Sequence, residues 1–440
     1  MKTNSFIIVE KLKEVIFSDE IIMNYKMSES DFTRNRKQPF GFVLMFMINL
    51  LKKSLVLELD NYLSHLNSKI QNYNIKSVSA SAFVQRRKKI NHTVFKYLVS
   101  VIVDNYYIIS NKNVKLFRGF RLLAVDGSRI ALPCTKELKN DFGEAKNQTK
   151  ASVVQARSSV LYDVLNHLVI DSILVNLSIA ERELALGHRE HWKPKDLIIY
   201  DRGYPSFEFK YEHHLSKIDY LIRVATTYSK VVMYFIESKK TSSIVAISPP
   251  AKHCYKNKNY TKDALLKVRL IRIDLPSGEV EILMTSLLDS QEYPASIFKE
   301  LYFLRWGVET FYDELKNKLK LEYFSGYSTV SILQDFYCNI FISNLQSVIV
   351  NDLQGQLDKK GEGKRYKQKV NTNLSYGFLK NRILELLWKD VPIDQIYTEI
   401  VALFVKHTIP IRPGRNNTRI VGKFKKRIKP VVLKNQKDAI

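Results

Sequence analysis

The sequence predicts a mixed α/β protein, with a sheet flanked by helices set between helical N-terminal and C-terminal regions. Three observations predict it. From residue 116 to about 225 the pattern runs as three strand signals, a helix, a strand, a helix and a strand. Long apolar periodicities of helical type fill the first 115 residues and much of the chain after Tyr323. At 440 residues the chain exceeds one simple core, so two to four domains are expected.

Residues 1–115 read as a helical region, with a break at Pro39, Phe40 and Gly41. Near its end, Ser79 or Ser81 is placed to cap a helix that opens at Phe83 and carries Arg86, Arg87, Lys88 and Lys89. A short helix, a Ser-rich turn and a basic helix suit a DNA-reading unit. Ordinary basic surface residues give the same pattern.

Residues 116–225 change character. RLLAVDGSRIALP is a strand signal whose apolar run meets Asp126 and Gly127, and two further strands follow around a short turn at Asn166. IAERELALGHREHW is an amphipathic helix, DLIIYDRGYPS a strand ending at Asp201, SFEFKYEHHLSKI a helix and DYLIRVAT a strand. That order is the order of a ribonuclease-H-like fold.

Residues 226–290 read as a β-rich insertion: VVMYFIES, SSIVAIS, LLKVRLIRIDL and EVEILMTSLL all alternate like strands. Residues 291–350 return to the core with a helix over Leu301–Lys320 and a long apolar helix after Tyr323. Residues 351–440 are helical, with a basic loop at DKKGEGKRYKQK. They end in a basic tail, IPIRPGRNNTRIVGKFKKRIKP, suited to a phosphate backbone.

The formal net charge of +25 favours a polyanionic partner, and nucleic acid is the commonest. An anionic membrane surface is the competitor. No apolar run is long enough for a spanning helix, and Glu10 and Lys11 interrupt the only signal-like stretch. Cys134, Cys254 and Cys338 are isolated and suggest reduced thiols and a cytoplasmic protein. His188 and His191, and the pair His213–His214, lack the cysteine or acid that would complete a zinc site.

Asp126 and Asp201 each end a strand. In such a mixed sheet the first and fourth strands are neighbours, so the two carboxylates can meet. A turn aspartate before Gly is common, so neither is specific alone. A third acid is sought on the Leu301–Lys320 helix. There Tyr302, Arg305, Glu309 and Lys316 fall within a stripe about 60° wide. Glu309 suits the role, and Asp313 lies close enough in angle to remain an alternative. Arg305 and Lys316 suit phosphates, as a fork and a point charge. Tyr302 suits a phosphate or a displaced base. Trp306, one step past Arg305, reads as core. Oxygen-only ligands favour Mg²⁺, with Mn²⁺ as substitute. Two such ions suit an in-line displacement at a phosphodiester.

The spacing Tyr302, Arg305, Glu309, Lys316 resembles the Tyr-Arg-Glu-Lys signature of DDE transposases of the IS-four group of bacterial insertion sequences, with no departure. VDGSRIALP and YDRGYPS resemble the family's two aspartate segments; MTSLLD and LQDFY resemble its later strand and helix. The similarity covers residues 116–345. It implies catalytic, metal-binding roles for Asp126, Asp201 and Glu309 over Asp313. It implies DNA contacts by Tyr302, Arg305 and Lys316, to which Arg202, Arg86, Arg87 and Lys88 are added as basic neighbours. It further implies cut-and-paste transposition by end nicking, hairpin formation and resolution, and strand transfer. The partners implied are terminal inverted repeats and target DNA, handled by a homodimer at the bacterial nucleoid. The rivals are a ribonuclease-H-like nuclease that cuts without joining, and an inactive DNA-binding remnant.

Overall fold

The chain begins in helices: α1 (Asn4–Ile16), α2 (Asp19–Tyr25), α3 (Phe40–Ile48), α4 (Leu55–Lys69) and α5 (Ala80–Arg87). The computed structural model describes residues 2–34, 38–70, 77–109, 113–146, 152–250, 260–261 and 263–412. The chain divides into two units. One is Met1–Ile90 with Asn317–Lys320 and Leu345–Ile440; the other is Asn91–Lys316 with Leu321–Asn344. In the first, α1 buries Phe6, Val9, Leu12 and Ile16, a three-and-four spacing that lines one helical face. The break expected at Pro39, Phe40 and Gly41 ends at Pro39, because Phe40 and Gly41 already belong to α3. A Cβ at Gly41 would stand 2.7 Å from the ring of Phe17, so the glycine admits that ring. Ser79 caps α5, accepting from the Ala82 amide at 3.2 Å.

The second unit holds the sheet. Its elements are α6 (Thr93–Ile109), β1 (Arg121–Ala131), α7 (Lys136–Phe142), β2 (Glu144–Lys146), β3 (Ser152–Asp163), β4 (Leu168–Asn176), α8 (Glu181–Gly187), β5 (Asp196–Tyr200), α9 (Phe207–Ser216) and β6 (Asp219–Val224). Next come α10 (Lys230–Glu237), β7 (Ser242–Ile247), β8 (Leu266–Asp274), β9 (Val280–Thr285), α11 (Phe298–Phe303), α12 (Trp306–Asp313) and α13 (Thr329–Asn351). The strand order is β2-β3-β1-β5-β6-β9-β8-β7, with β4 also on β3. β1 lies antiparallel to β3 and parallel to β5, and β5 is parallel to β6. This is the mixed sheet of a ribonuclease-H-like core. β5, with a parallel strand on each side, is buried at every residue, as its unbroken apolar run requires.

A buried ion pair fixes the register that matters most. Arg121 and Asp196 face each other across β1 and β5, and the guanidinium donates to both carboxylate oxygens at 2.7 Å. The ladder runs on to Ala124 opposite Ile199. Asp126 lies two residues past Ala124 and Asp201 two past Ile199, both just beyond the last pair of this ladder.

The stretch expected as a β-rich insertion contributes β7, β8 and β9 to this same sheet. VVMYFIES is not a strand: it forms α10. Ser229 caps it by accepting from the Val232 amide at 3.3 Å, and Val232 and Phe235, three apart, turn inward. They pack with Phe207, Leu270 and Met284 in one apolar cluster.

After α13 come α14 (Gln354–Gly361), β10 (Gln368–Val370), α15 (Thr372–Lys380), α16 (Ile383–Leu387), α17 (Ile393–Lys406) and β11 (Thr408–Pro410). The expected basic loop is thus helical through Gly361. The basic tail beyond Arg412, and Cys254, lie outside the described residues.

Candidate active site

Asp126 does not end its strand as expected: Gly127 continues the ladder with β3, so Asp126 lies midway along β1, opposite Val160 and just past the last pair with β5. Its Oδ1 accepts from the Gly127 amide at 2.9 Å, and its Oδ2 stands 3.9 Å from the Arg305 guanidinium. Asp201 follows the last residue of β5, and Tyr302 donates to its Oδ1 at 3.2 Å. Arg305 also pairs with Glu309, one turn along α12. Arg305 therefore stands between Asp126 and Glu309, with its guanidinium 5.9 Å over the ring of Tyr302, which in turn bonds Asp201. Asp313 is exposed, and Glu309 is the helix acid that acts on Asp126.

The electrostatics match that gathering. Burial pushes the Asp126 carboxyl up; Arg305 and the Gly127 amide oppose this, while Glu309 and Asp201 add to it. The result is about 6. Burial, then the charge of Asp201, pushes the Tyr302 hydroxyl well above the usual tyrosine range. Burial disfavours the charge on Arg305, but Glu309, Tyr302 and Asp201 outweigh it, so the guanidinium stays charged.

The segment is not the single regular helix that the stripe argument assumes. α11 ends at Phe303, and the bonds Arg305 to Tyr302, Gly307 to Leu304 and Val308 to Arg305 all span three residues. This tight stretch joins α11 to α12. Gly307 faces Val164 of the β3–β4 turn, where a Cβ would make an ordinary van der Waals contact at 3.4 Å. Beyond Asp313 the chain widens into a π-turn over Glu314–Lys318. Lys316 leaves the stripe there, and its Nζ donates to the Arg129 carbonyl on β1 at 2.7 Å. Tyr302 and Arg305 are buried, so Tyr302 has no open face for a base in this arrangement.

Trp306 is not core. It is 49% exposed, because α12 turns Val308, Phe311 and Tyr312 inward and position 306 falls on the opposite side. Arg202 is exposed beside Asp201. In the other unit Lys88 is exposed and Arg86 donates to the Gln38 carbonyl at 2.9 Å. Arg87 is withdrawn from the surface set. It is 2% exposed, with its guanidinium over the Phe83 ring.

Three nearby residues escape the sequence pattern. Tyr312 donates to the Asp126 carbonyl at 3.3 Å and shares a hydrogen bond with Ser158 at 3.0 Å, tying α12 to β1 and β3. Glu181 packs against Gly127, where a Cβ would meet its Cγ at 3.3 Å. Tyr204 buries its hydroxyl, on which the charges of Asp126, Glu181 and Asp201 act. The aromatic rings at fixed steps from Asp201 and Glu309 were the available signal. His188 is a buried link, 2.9 Å from Ser159 and 2.7 Å from Asp171, which joins β3 to β4.

Residues 117–345, just over half of the chain, match the family model described as the transposase DDE domain. No curated protein matches the sequence. A solved piggyBac transposase synaptic complex with hairpin DNA aligns over 90% of this chain and 80% of that one, at 10% identity and a TM-score of 0.43. By the extent of the domain match, the chain belongs to the DDE transposase family.

Proposed function

We propose that this chain is a transposase of the IS-four group that moves its element by cut-and-paste transposition. The observation that carries the reading is the parallel β1–β5 ladder, which has Asp126 and Asp201 just beyond its last pair, with Arg305 standing between Asp126 and Glu309 and Tyr302 bonded to Asp201. Supporting it is the unbroken Tyr302, Arg305, Glu309, Lys316 spacing.

The donor set is oxygen only, which fits Mg²⁺, with Mn²⁺ as a substitute. In the arrangement described, the Arg305 guanidinium supplies the positive charge among the acids. Among the described residues, no three acid, His or Cys groups converge tightly enough to hold an ion as they stand. Asp126, Asp201 and Glu309 would hold the cation with Arg305 turned away from them. When bound, divalent ions activate the attacking oxygen and stabilise the leaving oxygen at a phosphodiester.

The chain's own groups do the remaining work. Arg305, released from the acids, forks onto a DNA phosphate, and Lys316, freed from the Arg129 carbonyl, adds a point charge. Tyr302 holds Asp201 in place. Arg202 contacts phosphate beside Asp201. Residues 1–115 bind DNA, with Arg86 and Lys88 as contacts, and the net charge of +25 supports a polyanionic partner. The partners are the terminal inverted repeats and target DNA, held by a homodimer in the bacterial cytoplasm at the nucleoid. No helix among the described residues is long and apolar enough to cross a membrane.

The test incubates the protein with a pre-cleaved element end, target DNA and Mg²⁺. Joined strand-transfer products, and a hairpin on the element end during cleavage, are expected. Nicked or linear products alone would make it a nuclease that does not join.

A further inference from the structure

Tyr204 carries an unusual hydroxyl. The residue is 2% exposed, and its hydroxyl has no hydrogen-bond partner among the described residues. The turn after β5 puts it there: the Tyr204 amide donates to the Asp201 carbonyl at 3.2 Å and folds the ring back under the strand end. Tyr200 and Phe209 fix the ring, with centroids 5.4 and 6.1 Å away. Phenylalanine would supply the same packing. A buried hydroxyl with no partner costs stability, so packing alone does not account for tyrosine here.

The surroundings indicate which acceptor it serves. Asp126 is the charge that acts most on the hydroxyl, ahead of Glu181 and Asp201, and burial with these acids keeps it protonated and so a donor. Glu181 already has Arg157 at 3.3 Å, and Asp201 already accepts from Tyr302. The Tyr312 hydroxyl is committed to Ser158 and the Asp126 carbonyl. Asp126 has the Gly127 amide on one oxygen, and on the other only Arg305 at 3.9 Å. Once Arg305 turns to a phosphate, that oxygen loses its cation.

We propose that Tyr204 is a positioning residue of the metal centre, whose hydroxyl donates to the Asp126 carboxylate in the metal-bound state and holds it in its ligating orientation. This rests on the reading of Asp126 as a metal ligand. Hydrogen bonds to ligating carboxylates are a common means of fixing them, and their loss weakens metal binding about 10- to 100-fold.

The experiment is a Mn²⁺ titration of the full chain by calorimetry, for the parent, Tyr204→Phe, Asp126→Asn and the double variant, with melting temperatures taken without metal. Tyr204→Phe should bind Mn²⁺ about 10-fold more weakly. It should melt at the parent temperature or above, because its hydroxyl has no partner to lose in the metal-free protein. Added to Asp126→Asn, it should change nothing further. Parent-like affinity in Tyr204→Phe, or an equal additional loss in the double variant, overturns the role of Tyr204. Parent-like affinity in Asp126→Asn overturns the ligand assignment itself, and the proposal with it.

Discussion

Replacing Asp126 with Asn should make the metal-free protein more stable at neutral pH while removing its activity. In the folded chain the Asp126 carboxyl is raised from 3.8 to about 6, chiefly by burial. The folded protein therefore keeps this proton to higher pH than the unfolded chain does. Its contribution to stability is fully present below pH 4 and is lost as the pH rises to about 6. That range corresponds to roughly 3 kcal/mol. Asparagine has no charge to bury, so the variant should escape the loss. Thermal melts at pH 4 and pH 7.5 without metal test this. At pH 7.5 the variant should melt several degrees above the parent, and at pH 4 the two should converge. Excess Mn²⁺ should close the gap at pH 7.5 by binding the folded parent more tightly than the variant. A metal-free variant that melts at or below the parent at pH 7.5 would refute the account of a strained, metal-requiring carboxylate.

Two further outcomes follow from the ion pairs. Arg121→Met leaves Asp196 buried without its partner, at a cost of about 3–5 kcal/mol; the melting temperature should fall by roughly 10 °C, and adding Asp196→Leu should restore much of it. Arg305→Met removes the one guanidinium between Asp126 and Glu309, so the metal-free variant should melt lower than the parent and gain more from Mn²⁺.

The strands of the core were legible from their apolar runs, and the run before Asp201 ends there as expected; the run before Asp126 misled, because Gly127 carries the strand on to Ala131 instead of turning it. What brings the two aspartates to the same end of the β1–β5 ladder was not legible. It depends on Arg121 meeting Asp196, residues that carry no motif and pair only through the β1–β5 register. VVMYFIES misleads because its apolar residues are contiguous and β-branched, while the deciding feature is the Ser229 cap just before them. Trp306 misleads for a related reason. Large aromatics favour the core, yet its side of α12 is set by the tight junction at Leu304 and Arg305, which no periodicity announces. Arg87 reads as a surface cation by type alone, and the Phe83 ring beneath it decides otherwise. The spacing of Tyr302, Arg305 and Glu309 survives the helix break because the break tightens the backbone without reversing its face. Lys316 is carried off by the π-turn.

The central claim is that Asp126, Asp201 and Glu309 act as one centre. It is tested most directly by end cleavage in Mg²⁺ with Asp126→Asn, Asp201→Asn and Glu309→Gln, beside Asp313→Asn as the exposed control on the same helix. Each of the first three should lose cleavage and strand transfer while still binding the element end, and Asp313→Asn should retain both. Cleavage that survives in any of the three, or disappears only with Asp313, would contradict the assignment.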